Sequence, residues 1–260
     1  MSAPVLEVAA LSVALGRRPV LHDVSLSAGK GAFVAIVGPN GSGKTTLLRT
    51  IAGLLPFDGR IRLNGRPLAD MHLKERARAI AYLPQGNVFH WPLSVAEVVG
   101  LGRLPLMAGA GMSDEDRAAV DAAMERTEVQ AFAARPVTTL SGGERSRVAI
   151  ARVLATGAPL IIADEPTAAL DLRHQIAILE LLRRHADDQG TVVAVLHDLG
   201  LAARHADRIV ILDGGRVVAD GAPRAALTSE RLDLTFGVRA DVSEAHGRLW
   251  VTPWGLSAKP

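Results

Sequence analysis

Three short stretches of this chain carry residue types whose spacing can do chemistry on phosphate. Gly38-Pro39-Asn40-Gly41-Ser42-Gly43-Lys44-Thr45 fits G-x-x-x-x-G-K-[ST] and lies between a continuously apolar segment and a helical one. Glycines at that spacing let backbone N–H groups turn inward around phosphate oxygens, and a helix N-terminus adds its positive dipole. Lys44 then supplies charge at the outer phosphates, and the Thr45 hydroxyl can ligate Mg²⁺. Leu160-Ile161-Ile162-Ala163-Asp164-Glu165 is an apolar strand ending in two adjacent carboxylates. Two acids at a strand end are common by chance, but a phosphate loop in the same chain gives them a task. Alternation along the strand points them in different directions, so Asp164 is expected to hold Mg²⁺ and Glu165 to act as general base on the attacking water. Leu140-Ser141-Gly142-Gly143-Glu144 precedes a helix expected over Glu144–Thr156. Ser141 and Glu144 have capping-box spacing, and the two glycines between them expose backbone N–H groups that suit a second anion site.

Strands and helices must position these stretches. Val5–Val13 and Val20–Leu26 alternate apolar and polar residues, as half-buried antiparallel strands do. Ala32–Val37 is continuously apolar, the pattern of a strand buried on both faces, and a helix is expected from about Lys44. Ile61–Leu63 ends at Asn64-Gly65, a pair suited to a type I′ hairpin turn, and Ala79–Leu83 reads as a short strand. From Gly86 to about Pro159 the character turns helical, with Ser94–Leu101 and Ser113–Glu128 expected as helices before the one at Glu144. Strand–helix alternation then returns through Leu160–Ala163, Leu172–Arg184, Thr191–Leu196, Leu201–His205 and Ile209–Leu212, with weaker strand signals over Gly237–Trp254. The expected fold is α/β: a P-loop NTPase core in residues 1–236, with an antiparallel β subdomain and a helical insert at about 86–158, then a short extension, 237–260.

Composition narrows the class. The 260 residues, 48% hydrophobic and 22% charged, allow a sizeable core and exclude wholesale disorder. No apolar run approaches the roughly 18 residues of a membrane span. A signal peptide is not expected, because Met1–Ala10 lacks a basic start and carries Glu7. The chain has no cysteine, which excludes disulfides and thiolate metal sites and fits a cytosolic compartment. With 29 basic against 27 acidic residues and only 3% aromatics, nucleic acid is not an expected partner.

Taken in their order, these motifs make the chain resemble the nucleotide-binding subunits of ABC transporters over residues 5–236. Gly38–Thr46, including Thr46, corresponds to the Walker A loop, LSGGE at 140–144 to the signature, and LIIADE at 160–165 to Walker B. The resemblance implies that Gln85 in YLPQ is the Q-loop glutamine at Mg²⁺, that Ala168–Asp171 is the D-loop, and that His197 in VLHD is the catalytic switch histidine at the γ-phosphate. It implies ATP and Mg²⁺ as ligands, and a head-to-tail homodimer in which Ser141, Gly142, Gly143 and Glu144 close over the partner's ATP. Glu144 stands where the family often has Gln, a change the capping geometry tolerates. Leu15 aligns with the aromatic that covers adenine in many members; it forfeits stacking worth roughly 1 kcal/mol or more.

Gly102-Arg103-Leu104-Pro105, Leu170–Gln175 and Val195–Leu199 look further like the import ATPases that serve iron–siderophore, haem and cobalamin permeases. That branch implies an integral membrane permease docking near Gln85–Pro105, where Phe89, Trp91 and Pro92 offer apolar groups. It also implies a substrate-binding protein acting indirectly, and a place on the cytoplasmic face of the inner membrane. An ATPase of another transporter class, or a soluble ABC ATPase, is the alternative. A single-site kinase or GTPase is disfavoured by LSGGE and His197.

Overall fold

Apolar alternation at the start of the chain folds into an antiparallel pair. In the computed structural model, which describes residues 4–86, 89–107, 109, 111–168, 170–245 and 248–257, β1 (Leu6–Leu15) pairs with β2 (Arg18–Ala28). Leu6, Val8, Leu11 and Val13 are buried; the period of two slips between Val8 and Leu11, where Ala10 at φ 51° forms a bulge and re-phases the strand. β3 (Phe33–Val37), buried throughout, leads through the glycine-rich loop into α1 (Lys44–Ile51). β4 (Asp58–Leu63) adds to β1, and Asn64 (φ 48°) with Gly65 (φ 77°) turns it into β5 (Arg66–Pro67), as the Asn-Gly pair demands. The resulting sheet has the order β2-β1-β4-β5. α2 (Leu73–Ala79) buries no residue, so it leaves no apolar periodicity to read in the sequence; β6 (Ile80–Leu83) follows it.

Next come α3 (Val95–Gly100), α4 (Asp114–Arg126) and α5 (Gly142–Ala155), each opened by a serine capping box. Ser141 is the N-cap of α5, so the helix begins at Gly142 rather than at Glu144, and both glycines sit in its first turn. The three helices share a core of their own, built on Val95, Val99, Val120, Met124, Val148 and Ala151. Between α3 and α4 a 3₁₀ turn spans Leu101–Arg103. A Cβ at Gly102 would collide with the Arg152 carbonyl oxygen, and this close approach carries Arg103 inward. Its Nε donates to Asp116 Oδ1 at 2.8 Å and its Nη1 to the Ala155 carbonyl at 2.9 Å, with both charged side chains nearly buried.

The remainder is β7 (Leu160–Asp164), α6 (Leu172–Asp187), β8 (Thr191–Val195), α7 (Leu199–His205), β9 (Arg208–Asp213), β10 (Arg216–Gly221), α8 (Pro223–Ala226), α9 (Ser229–Phe236), β11 (Val238–Ala245) and β12 (Arg248–Leu256). The second sheet runs β10-β9-β3-β8-β7-β6, parallel from β9 to β6 with β10 antiparallel at its edge. Phe33, Ala35 and Val37 of β3 face the layer of α5 and α6, while Val34 and Ile36 face α1 and the antiparallel sheet. Burial on both faces is what the unbroken apolar runs reported. Because the strands are parallel, the carboxyl ends of β6, β7, β8 and β3 lie side by side along one edge. Gly237–Trp254, expected as short strands, instead forms one long hairpin, paired from Val238–Leu256 to Ala245–Arg248. Among the described residues no helix is long and apolar enough to cross a membrane. Asn87 and Val88 of the expected docking stretch, and Ala169 of AALD, lie outside the described residues.

Candidate active site

Space, as well as torsion, requires glycine in the loop between β3 and α1. Gly38 sits at φ 154°, where a Cβ would collide with the Leu212 carbonyl oxygen. Gly43, the N-cap of α1, has φ 101°, and a Cβ there would lie 2.7 Å from Leu21 Cδ2. The loop closes around Lys44, whose Nζ donates to the Gly38 and Pro39 carbonyls at 2.8 Å each. One of its three donors is left for another acceptor. Burial pulls the Lys44 ammonium below its usual pKa, and the nearby carboxylates of Glu165 and Asp164 oppose that shift. The Ser42 hydroxyl is buried and has no hydrogen-bond partner among the described residues.

Over this loop opens a cleft of about 510 Å³, lined by Asn40, Gly41, Gly43, Lys44, Thr45, Thr46 and Glu165. Leu15 and Arg18, paired at the tip of the β1–β2 hairpin, line it too, as do His22 and the Gly214-Gly215 turn between β9 and β10. Leu15 therefore lines the same cleft as the phosphate loop. Arg18, His22 and the Gly-Gly turn were not anticipated. A signal for the turn exists in Gly215, where a Cβ would collide with the Val20 carbonyl oxygen.

The two carboxylates diverge for a reason other than strand alternation. β7 ends at the fully buried Asp164, and Glu165 leaves it in the left-handed region at φ 52°, a conformation that costs a non-glycine residue roughly 1–3 kcal/mol. Asp164 Oδ1 accepts from the Thr45 hydroxyl at 3.2 Å, and Oδ2 from the Tyr82 hydroxyl at 3.5 Å. Burial pushes the Asp164 pKa up, and the Thr45 hydrogen bond works against it. Glu165 is engaged at both oxygens: Gln85 Nε2 donates to Oε2 at 2.7 Å, and His197 Nε2 lies 2.6 Å from Oε1. Asp198 caps α7 through the Leu201 N–H at 2.8 Å, which fixes the chain just after His197. Four neighbouring strands thus supply the site: β6 leads to Gln85, β7 to the two acids, β8 to His197 and β3 to the loop.

Ser141–Glu144 stands apart, since none of these residues lines the cleft. Glu144 N–H donates to Ser141 Oγ at 3.3 Å, and Glu144 Oε2 accepts from Ser141 N–H at 2.7 Å. The bond from the Ser141 N–H, followed by the Ser141 hydroxyl, holds the Glu144 carboxyl below its ordinary pKa. The N–H groups of Gly142 and Gly143 belong to the first helical turn, which has no intrahelical acceptor for them.

Comparison with known proteins agrees with this geometry. Residues 21–168 match the family model described as ABC transporter. The chain is 53% identical over 214 residues to the hemin import ATP-binding protein HmuV of Streptomyces coelicolor, covering 82% of this chain and 76% of that one. It is 45% identical over 252 residues to the cobalamin import ATP-binding protein BtuD of Halobacterium salinarum, covering 95% of this chain and 63% of that one. Among solved structures, it superposes with a TM-score of 0.83, at 27% identity and 98% coverage of both chains, on a chain of a transporter assigned to the metal-chelate ABC type in an inward-facing conformation. A dimeric ATP-binding cassette in a post-hydrolysis state with ADP and Pi gives a TM-score of 0.74 at 33% identity, covering 84% of this chain and 99% of that one.

Proposed function

The chain belongs to the ABC transporter family as an ATP-binding subunit, and from that premise we propose that it powers import of haem, or of a related metal chelate such as cobalamin or an iron–siderophore, through a separate membrane permease. In this reading it works as a homodimer on the cytoplasmic face of the cell membrane. One observation carries the catalytic part: Lys44 and Glu165 line a single cleft that contains no signature residue, and Gln85 and His197 both engage the Glu165 carboxylate.

Lys44 and the loop N–H groups bind the β- and γ-phosphates of ATP, and Leu15 covers the adenine. The Thr45 hydroxyl and the Asp164 carboxylate, 3.2 Å apart, are hard oxygen donors of the kind Mg²⁺ takes, with the Gln85 amide at the adjacent strand end. Held by these residues, Mg²⁺ would supply positive charge to offset that building up on the phosphates. Glu165 accepts a proton from the water that attacks the γ-phosphorus, while the bond to the β-γ bridging oxygen breaks and ADP leaves with the electron pair. His197, against Glu165, steadies that carboxylate and reaches the γ-phosphate. Ser141, Gly142 and Gly143 of the second copy complete the site from the other side, with Glu144 holding the cap.

Permease docking is assigned to the Gln85–Pro105 surface. Trp91 is 75% exposed, and Leu101 and Leu104 are exposed beside the 3₁₀ turn. Phe89 packs partly into two core clusters, and Arg103 is buried, so neither offers a free docking group. Co-expression with the neighbouring permease, detergent purification and reconstitution with a hemin-loaded binding protein test the reading. Co-purification and hemin-stimulated ATPase are expected. ATPase that associates with no integral membrane protein would overturn the importer assignment.

A further inference from the structure

Asp171 at the end of the D-loop and Gly143 of the signature meet on one side chain, His174. Asp171 is the N-cap of α6, and its Oδ1 accepts the His174 backbone N–H at 2.9 Å. The same oxygen lies 2.7 Å from His174 Nδ1. Capping alone needs only the first of these bonds. The second fixes the ring, with the proton on Nδ1 facing its acceptor. The opposite edge of the ring then lies on the first turn of α5: a methyl group at Gly143 would stand 3.5 Å from Cδ2 and Nε2 and 3.6 Å from Cε1. One residue later, Gln175 Nε2 reaches back to the Thr167 carbonyl at 3.4 Å. Consecutive α6 residues therefore brace the loop after β7 on one side and the signature helix on the other. The His174 side chain is 34% exposed, which is not the burial of a core residue.

We propose that His174 is a positioning residue, which ties the Asp171 end of α6 to the first turn of α5 and so aims the Gly142–Gly143 N–H groups at the partner's γ-phosphate. This rests on the head-to-tail reading given above.

Two variants separate positioning from capping. His174→Ala keeps the backbone cap and removes the whole ring, whereas His174→Asn keeps an N–H donor close to the Nδ1 position and removes only the edge that lies against Gly143. In the full-length chain, amide exchange at Glu144 and Arg145 is expected to quicken about tenfold in both His174→Ala and His174→Asn, since both lose the contact with α5. In a Glu165→Gln background, the ATP concentration for half-maximal dimerisation should rise about tenfold with either variant. ATP affinity of the dilute monomer should not change. Unaltered exchange in His174→Ala overturns the proposal, and so does wild-type exchange in His174→Asn, which would make the Asp171 bond alone sufficient. A Glu165→Gln parent that never dimerises with ATP, while His174→Ala still quickens exchange, contradicts the head-to-tail reading and leaves the α6–α5 tie standing.

Discussion

At the N-terminus of α1 the backbone wraps a lysine; at the N-terminus of α5 it is capped by a serine. Both are glycine-rich turns feeding a helix, and both present N–H groups to an anion. Their surroundings differ. The α1 turn has no side-chain cap, sits on the central sheet, and is ringed by Asp164, Glu165, Gln85 and His197 from adjacent strand ends. The α5 turn is closed by the Ser141–Glu144 box and stands on a three-helix unit with its own core. The first turn combines binding with hydrolytic groups. The second has no hydrolytic group beside it, and in the proposed function it acts on a phosphate held by the other copy.

Breaking the hydrolytic side alone should give the largest effect. Glu165→Gln keeps shape and loses the base, so steady-state ATPase should fall by roughly 10²–10⁴-fold while ATP binding persists and an ATP-stabilised dimer accumulates. Equal turnover in mutant and wild type would remove Glu165 from the reaction.

Loosening the unit under α5 should do the reverse. Arg103→Ala leaves the nearly buried Asp116 without its partner, and the melting temperature should drop by roughly 5 °C or more. Dimerisation should weaken, while monomer ATP affinity holds. The Arg103 hydrogen bond keeps the Asp116 carboxyl below its ordinary value of 3.8. The pair therefore contributes fully above that value and loses its contribution as pH falls through the lowered one. The stability gap between wild type and Arg103→Ala should close in acid melts; a gap that widens on acidification would contradict this.

The smallest change sharpens the α1 side. Leu15→Tyr should tighten ATP by at most about 1 kcal/mol, and more than it tightens inorganic triphosphate, since the leucine already excludes water from that face. Titrations with equal gains for both ligands would place Leu15 away from the base.

Local spacing made the phosphate loop and the Asp164-Glu165 pair readable, because their chemistry lies within a few residues of one strand or helix. Gln85 and His197 were named only through the family resemblance. Gln85 bonds Glu165 across 80 residues of sequence, and no periodicity encodes which parallel strands become neighbours. Glu165's left-handed turn was hidden for a related reason, since an apolar run ending in two acids looks like a strand to its last residue. Arg103 was noted only as part of a branch motif in the docking stretch; its burial depends on the close approach of Gly102 to α5, a tertiary fact. His174 was noted only as part of a branch motif, because its contact with Gly143 joins two elements that sequence leaves apart. The α5 start was misplaced by two residues, since the glycines' poor helix propensity outweighed the Ser141–Glu144 capping-box spacing, which already put the first turn at Gly142.

The claim that the α1 turn of one copy works with the α5 turn of the other is tested most directly by mixing two dead proteins, Lys44→Ala and Ser141→Arg. Each homodimer is broken at both sites. If the turns act across the dimer, a mixed dimer holds one doubly broken site and one intact site, so ATPase activity, or at least ATP-dependent dimer formation, should return on mixing, with the permease present if dimerisation needs it. If each copy used its own signature, every site of the mixed dimer would carry a defect. Neither activity nor ATP-dependent dimers, with both variants shown to be folded, would contradict the account.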